Sequence, residues 1–224
     1  YLLWLNILIN MAEKFYKKTG MYIDWNQIET LPEIDTFIDI GVGPKWTEDM
    51  YRVFKNANLI LIDPIDESKE YAKKLSKKRY VAFIQSAVGK DDNIEKNMKL
   101  QKKRGYSSFL EISSINMKDD FTEIKKFNIS KLDTLLNDKH KLGKIGIKID
   151  VEGYELDVIL GALETLKFTK FVIAEVRHNH ESLKGVYKLG EFMSVMTENN
   201  FTLSKILKAK PFIADLCFQP SKDI

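Results

Sequence analysis

Residues 144–162 read KIGIKIDVEGYELDVILGA, and the order of patterns in this segment points to an α/β fold. Its apolar first part predicts a buried strand over residues 144–149 that ends at Asp150, and the apolar spacing over 154–166 predicts a helix. A strand, a short turn and a helix are the repeating unit of a parallel sheet with helices on its faces. Asp150 then becomes a candidate functional residue, because ligands of such sheets bind beyond the carboxyl ends of the strands.

The same alternation of strand and helix patterns continues on both sides of this segment. Further strands are predicted over residues 36–40, 58–62, 80–84 and 170–176, and two more, over 201–207 and 211–218, are predicted to pair as a terminal hairpin. Helical patterns stand between them, the clearest over 66–78 and 186–199. The sequence therefore predicts an α/β protein with a Rossmann-like, mostly parallel seven-stranded sheet and an antiparallel C-terminal hairpin.

The length of 224 residues suits one α/β domain with an extension. We expect residues 1–34 to form an N-terminal helix, over 1–18, and a linker, and residues 35–224 to form the domain itself. The polar segment 90–128 interrupts the alternation, which predicts a loop or hairpin insertion at the sheet edge, where substrate loops often lie.

The charge distribution argues against a nucleic-acid partner. Thirty-five basic and 32 acidic residues are interspersed, the net charge is +3, and no long basic block is present. The apolar N-terminal run YLLWLNILIN has half of the roughly 20 residues that a membrane span needs. It predicts a helix that docks on the domain or on a partner subunit, which makes a homodimer a hypothesis. The single cysteine, Cys217, fits a cytoplasmic location.

The first strand ends in the turn Asp39-Ile40-Gly41-Val42-Gly43. Its glycines allow a tight turn and a close approach of a ligand to the backbone. A dinucleotide-binding turn would have a third glycine where this chain has Trp46. The turn therefore favours S-adenosylmethionine, whose ammonium group suits a nearby carboxylate such as Asp39.

Three further acidic residues, Asp63, Glu152 and Glu155, also have a purely structural interpretation. Asp63 ends the second strand, where a carboxylate can bind both ribose hydroxyls of a cofactor, but it can also cap the segment that begins at Pro64. Glu152 and Glu155 stand at the start of a predicted helix, where negative charge is favourable, and for Glu155 we favour a capping role.

Seven segments in fixed order carry a resemblance over about residues 35–180. They read FIDIGVG, LIDP, SAVG, YSSF, KLDTLL, KIDVEGYELDVILGA and FVIAEV. This order resembles the FkbM-type methyltransferase family. The resemblance implies a Rossmann-like class I methyltransferase fold for the domain at 35–224. It also implies S-adenosylmethionine as cofactor and O-methylation of a hydroxyl on a sugar or secondary metabolite.

The resemblance also implies roles for the residues that follow the strands. The methionine part of the cofactor would contact the first turn, the ribose would contact Asp63, and the adenine would lie near the end of the third strand. The cofactor-binding residues are then Asp39, Gly41, Gly43, Asp63, Ser86, Ala87 and Asp150, with Ser107 and Ser108 approaching the cofactor or the acceptor.

An alcohol is a weak nucleophile at neutral pH, so its methylation needs a base or a metal ion. We expect Asp150 beside the acceptor oxygen, with Glu175 at the tip of the next strand and His178 three residues later as base or orienting partner. Asp150 and Glu175 are equally candidates for holding a divalent ion. For His178 and His180 a polar loop without a catalytic role is the alternative.

Two other functions fit parts of the pattern. One is an NAD-type Rossmann oxidoreductase, which Trp46 disfavours. The other is a non-catalytic methyltransferase-like scaffold, which the presence of Asp39, Asp63 and Asp150 disfavours.

Overall fold

A twisted α/β sheet organises the computed structural model, which describes residues 25–42, 48–102, 104–112, 121–178, 183–209 and 212–221. The strands are β1 (Thr36–Ile40), β2 (Asn58–Ile62), β3 (Val81–Ile84), β4 (Ala87–Val88), β5 (Ile94–Gln101), β6 (Glu111–Ile112), β7 (Phe121–Ser130), β8 (Ile145–Ile149), β9 (Thr169–Arg177), β10 (Leu183–Lys184), β11 (Phe201–Ala209) and β12 (Ile213–Pro220). The α-helices are α1 (Glu48–Val53), α2 (Asp66–Leu75), α3 (Leu132–Leu135), α4 (Glu155–Leu160), α5 (Leu163–Leu166) and α6 (Leu189–Glu198). Short 3₁₀ helices cover Trp25–Thr30, Arg104–Tyr106 and Lys139–Leu142.

The main sheet has seven strands in the order β11-β12-β9-β8-β1-β2-β3. The five strands from β9 to β3 are parallel, β12 is antiparallel to β9, and β11 is antiparallel to β12. This confirms the predicted Rossmann-like sheet with its antiparallel C-terminal hairpin. The chain runs outward from β1 to β3 and then returns to β8 beside β1. The carboxyl ends of β1 and β8 therefore form the switch point where open α/β sheets bind ligands.

Helices pack on both faces of the sheet, so the central strands β1 and β8 are buried on both sides. Ile38 and Ile40 of β1 belong to a hydrophobic cluster that also contains residues of α4, α5 and α6. Phe37 points to the opposite face, where it stacks on Phe54 with ring centroids 5.3 Å apart. Since side chains alternate along a strand, Asp39 lies on the same side as Phe37, facing α1.

The helix predicted over 154–166 is two helices, α4 and α5, separated at Gly161. A Cβ atom at Gly161 would lie 2.0 Å from the backbone oxygen of Gly89, so the chain bends where these two segments touch. Asp133 then caps α5, because its carboxylate accepts hydrogen bonds from the backbone N–H groups of Glu164 (2.9 Å) and Thr165 (2.8 Å). The SAVG, KLDTLL and VILGA segments are therefore in direct contact with one another through Gly89, Asp133 and Gly161.

The polar segment at 90–128 contains an antiparallel hairpin of β5 and β7. β4 joins it by pairing with β7, which makes a three-stranded sheet beside the main one. β6 pairs with β10 in a separate two-stranded sheet. The hairpin therefore connects the end of β3 to the start of α3.

The helix predicted over 1–18 lies outside the described residues. Within the predicted linker, Trp25–Thr30 form a 3₁₀ helix that contributes Ile28 to the core on the Phe37 side of the sheet. In the described part of the chain, no helix is both long and apolar enough to cross a membrane.

Candidate active site

Gly41 allows the end of β1 to lie directly against the end of β8. Its φ is +83°, and a Cβ atom there would lie 1.8 Å from the backbone oxygen of Asp150. The N–H of Asp150 donates to the carbonyl of Ile40 at 2.9 Å. The close approach that this glycine permits is therefore to the protein's own backbone. Gly43, the second predicted glycine, lies outside the described residues.

Asp39 is completely buried at the switch point. The hydroxyl of Tyr51 on α1 donates a hydrogen bond to its carboxylate. The ammonium group of Lys148, the residue paired with Asp39 on β8, lies 3.6 Å from the Oδ1 atom. In this structure Asp39 therefore contacts Tyr51 and Lys148, and its contact with the cofactor stays a prediction.

Asp63 ties the end of β2 to the first turn. Its two carboxylate oxygens accept the backbone N–H groups of Val42 and Ile65, each at 2.8 Å. Burial raises the pKa of the Asp63 carboxyl to about 7, although these two hydrogen bonds act in the opposite direction. This geometry supports the capping interpretation of Asp63, and ribose binding stays a prediction.

Three carboxylates meet beyond the ends of β8 and β9. Oxygens of Asp150, Glu152 and Glu175 all lie within 4.8 Å of one another. In the part of the chain that the structure describes, this is the group of acidic, histidine and cysteine side chains that could hold a metal ion. The structure thus brings Asp150 and Glu175 together, as the sequence predicts, and adds Glu152.

Two buried cations balance this acidic cluster (Asp150, Glu152 and Glu175). Lys148 lies 3.2 Å from the Oδ2 atom of Asp150, and Arg177 pairs with Glu152. Burial lowers the pKa of Lys148, but the charges of Asp150 and Asp39 outweigh burial, so the pKa of this ammonium group is raised. Lys148 therefore stays charged and holds Asp150 in place.

The other two carboxylates bind protons more tightly than usual. Burial, followed by the charges of Asp150 and Asp215, raises the pKa of Glu175 well above its ordinary value. Burial and the charge of Asp150 raise the pKa of Glu152 to about 8, although Arg177 opposes this. Titratable groups with such shifts are common in active sites.

The loop that carries Asp150 and Glu152 is held from both sides. Glu155 accepts the N–H groups of Val151 (3.2 Å) and Gly153 (2.9 Å), which precede α4, so it braces this loop, and its predicted helix-capping role stays a prediction. From the insertion, the Ser108 hydroxyl donates to the carbonyl of Glu152 at 2.7 Å. These contacts maintain Glu152 in a left-handed conformation with a φ of +53°, which is unusual for this residue type.

Ser107, His178 and His180 are the predicted residues that remain to be placed. The Ser107 hydroxyl accepts the N–H of Gln101 at 3.1 Å, inside the insertion. His178 continues the pairing of β9 and β12, since its N–H donates to the carbonyl of Phe212 at 3.2 Å. Among the described residues, His178 is not a member of the acidic cluster. His180 lies outside the described residues.

Ser86 and Ala87 line a groove beyond the end of β3. The groove has a volume of about 250 Å³, and its other lining residues are Pro64, Gln85, Lys125, Phe127 and Asn128. The Ser86 hydroxyl donates to the carbonyl of Ala87 at 3.0 Å. This groove is adjacent to Asp63, and it lies on the other side of β1 from the acidic cluster.

Sequence reasoning missed the roles of Lys148, Tyr51 and Arg177. One signal was available for Lys148, which is the charged residue in the otherwise apolar strand β8 and stands two positions before Asp150. Side chains two apart on a strand share a face, so this spacing predicts proximity. Tyr51 contacts Asp39 and Arg177 contacts Glu152 only once the chain has folded, so the sequence carries no comparable signal for these two residues.

A profile of the methyltransferase FkbM domain matches residues 39–203. The fold also resembles those of solved structures at low sequence identity. They include a candidate S-adenosylmethionine dependent methyltransferase from Listeria monocytogenes (TM-score 0.48, 10% identity, 88% of this chain and 98% of that chain). Another is a ribosomal protein L11 methylase from Lactobacillus delbrueckii subsp. bulgaricus (TM-score 0.43, 14% identity, 88% and 79%). A third is a methyltransferase from Pyrococcus furiosus (TM-score 0.44, 12% identity, 88% and 81%).

No curated protein matches the sequence significantly. The profile match, however, extends from Asp39 at the end of β1 to Leu203 in β11, and it includes every residue of the acidic cluster. The chain therefore belongs to the FkbM methyltransferase family, whose members use S-adenosylmethionine.

Proposed function

We propose that this protein transfers the methyl group of S-adenosylmethionine to a hydroxyl oxygen of a sugar or secondary metabolite. The observation that carries this proposal is the acidic cluster, in which Glu175 has a raised pKa and Asp150 is held by a buried lysine. An alcohol needs a positioned base, and a carboxylate with a raised pKa is a better base than an ordinary one.

The cofactor would lie across the switch point, with its methyl group directed towards the acidic cluster. Its methionine part would contact the first turn with Gly41, Gly43 and Asp39. The ribose would lie near Asp63, and the adenine near Ser86 and Ala87. This order follows the sequence of strand ends from β8 through β1 to β3.

Methyl transfer is then an in-line displacement. The acceptor oxygen forms a bond to the methyl carbon while the carbon–sulfur bond breaks, and the sulfur leaves as a neutral thioether. Glu175 takes the proton of the hydroxyl, and Asp150 orients that hydroxyl beside the methyl group. His178 stays a candidate partner of Glu175 as a hypothesis from the sequence, in which it follows Glu175 by three residues.

A divalent ion fits this site less well than the carboxylates alone suggest. Three carboxylate oxygens could bind one, but Lys148 and Arg177 already pair with Asp150 and Glu152. An ion would have to displace or face these two cations. We therefore derive no step through a metal ion and assign proton removal to the side chains.

The proposal is tested by incubating the protein with S-adenosylmethionine and a panel of sugars, nucleotide sugars and hydroxylated metabolites. We expect one class to gain a methyl group, and NMR of the product to place that group on oxygen. The E175Q variant is the matched negative control, since it keeps the shape of the side chain and removes the base. Transfer to nitrogen, or to RNA or protein in place of the panel, would contradict the proposed acceptor class.

Two titrations separate the alternatives. Binding of S-adenosylhomocysteine without any transfer activity would favour a scaffold. Binding of NADH in preference to S-adenosylhomocysteine would favour an oxidoreductase site.

A further inference from the structure

The groove beyond β3 is formed jointly by the main sheet and the insertion. Pro64, Gln85 and Ser86 come from the segments that follow β2 and β3, and Ala87 begins β4. The other wall consists of Lys125, Phe127 and Asn128 of β7. The sequence predicts the insertion at the sheet edge, where substrate loops often lie. The geometry places part of β7 next to the loops that the cofactor would contact.

Polar contacts fasten the two walls together at Asp66, the first residue of α2. The side-chain amide of Gln85 donates to its Oδ1 atom at 2.7 Å, and the ammonium group of Lys125 lies 3.3 Å from its Oδ2 atom. These contacts join the end of β3, the start of α2 and the middle of β7. The wall formed by β7 is therefore a built part of this groove.

The walls combine an aromatic ring with amide groups. Phe127 is half-buried, and the Lys125 ammonium group lies 5.4 Å from the centroid of its ring. Gln85 and Asn128 supply side-chain amides that can both donate and accept hydrogen bonds. A flat heterocycle with apolar faces and a polar edge matches such a surface.

We propose that β7 belongs to the cofactor site, with the adenine ring of S-adenosylmethionine stacked on Phe127 in this groove. This inference rests on the proposed function. The groove lies beside Asp63, where the ribose would be, so a ring attached to that ribose reaches it directly. A sugar acceptor belongs at the acidic cluster, which is separated from the groove by β1 and β2.

In this arrangement the insertion contacts both the adenine end of the cofactor and the loop that carries Asp150 and Glu152. β7 would hold the adenine at one end, and at the other end Ser108, which pairs with Lys99 of β5, hydrogen-bonds the carbonyl of Glu152. Cofactor binding in the groove would then also steady the loop that carries Asp150.

The test compares four proteins by calorimetric titration with S-adenosylhomocysteine: the wild type, F127A, F127Y and I124A. Ile124 is the matched control, because it is an exposed apolar residue of the same strand that does not line the groove. We expect F127A to weaken binding about tenfold or more, in line with the loss of a base–aromatic stack. F127Y, which keeps a ring, and I124A should bind like the wild type.

A second measurement keeps the proposal testable if F127A fails to fold. Photo-crosslinking of the wild type with 8-azido-S-adenosylmethionine should label a peptide from β7, and excess S-adenosylhomocysteine should prevent the labelling. Equal affinity of F127A and I124A, or labelling confined to other peptides, would overturn the role of β7 while leaving the proposed function intact. Failure of the wild type to bind S-adenosylhomocysteine would instead overturn the proposed function.

Discussion

Asp150 is the residue on which the proposed chemistry depends most directly. Replacing it by Asn keeps its size but removes the charge that orients the hydroxyl and raises the pKa of Glu175. We expect D150N to lower kcat by about 100-fold or more, because a hydroxyl that is no longer aligned with the methyl group reacts far more slowly. The affinity for S-adenosylhomocysteine, measured by calorimetry, should stay largely unchanged.

The exposed Asp91 of the insertion provides the control for this variant. D91N should have wild-type kcat. Turnover of D150N at the wild-type rate would show that Asp150 has no part in the transfer.

Glu175 should give the reaction a distinctive pH dependence. A base must be deprotonated to act, so the rate rises with pH as Glu175 loses its proton. Because burial and the charges of Asp150, Asp215 and Glu152 raise the pKa of Glu175 while Lys208 opposes them, this rise should be centred well above the value of about 4.3 for an ordinary Glu. The measurement is kcat/KM against pH.

In D150N the residual activity should still increase with pH, but this increase should be centred at a lower pH than in the wild type. The reason is that one of the charges that raise the pKa of Glu175 is gone. An acid limb near pH 4 in the wild type, or one that D150N does not move, would assign the base to another group.

The sequence predicts which side chains lie at the ends of the strands, but it does not predict which residues they contact. The period of a strand and the position of its end place Asp150 and Glu175 at one edge of the sheet. The burial of Asp39 and its contact with Tyr51 depend on how α1 packs on β1. Likewise, the pairing of Arg177 with Glu152 depends on the neighbouring ends of β8 and β9. Such contacts leave no local pattern in the sequence.

Among the secondary-structure elements, the periodicity of the sequence fails most clearly to predict that α4 and α5 are two separate helices. Apolar spacing continues through Gly161, so the pattern predicts one helix over 154–166, yet the contact with Gly89 requires a turn there. The sequence predicts the strands closely because runs of apolar residues mark them. For the insertion the sequence predicts a loop or hairpin but not the bounds of its strands, because the exposed positions of β5 lack a regular alternation.

The contact between Gly161 and Gly89 should be sensitive to a single methyl group. In G161A the new Cβ would lie 2.0 Å from a backbone oxygen, which no side-chain rotation can relieve. We expect a loss of about 1–3 kcal/mol in the free energy of unfolding, as for other overpacked sites, measured by urea denaturation.

Gly105 is the matched position, since a Cβ there has nothing within 4 Å. G105A should stay within about 0.5 kcal/mol of the wild type. Equal stabilities of G161A and G105A would mean that the segments at Gly89 and Gly161 are not in contact.

For the molecule as a whole, the carboxylates at the switch point of the sheet predict which cofactor raises the free energy of unfolding. The strand order reverses between β1 and β8, and the ends of both strands carry carboxylates on the same side of the sheet. A cofactor with a cationic methionine part is attracted to such a site, whereas the pyrophosphate of NADH is repelled by it. S-adenosylhomocysteine at 100 times its Kd should add about 2.7 kcal/mol to the free energy of unfolding.

For a chain of this size, that gain corresponds to a rise in Tm of about 5–10 °C. NADH at the same concentration should leave the Tm unchanged, and so should EDTA, because Lys148 and Arg177 already balance two of the three carboxylates. A fall in Tm with EDTA would mean that the acidic cluster holds a metal ion after all. The cluster would then bind its acceptor through that ion, and Lys148 would have to be displaced from Asp150.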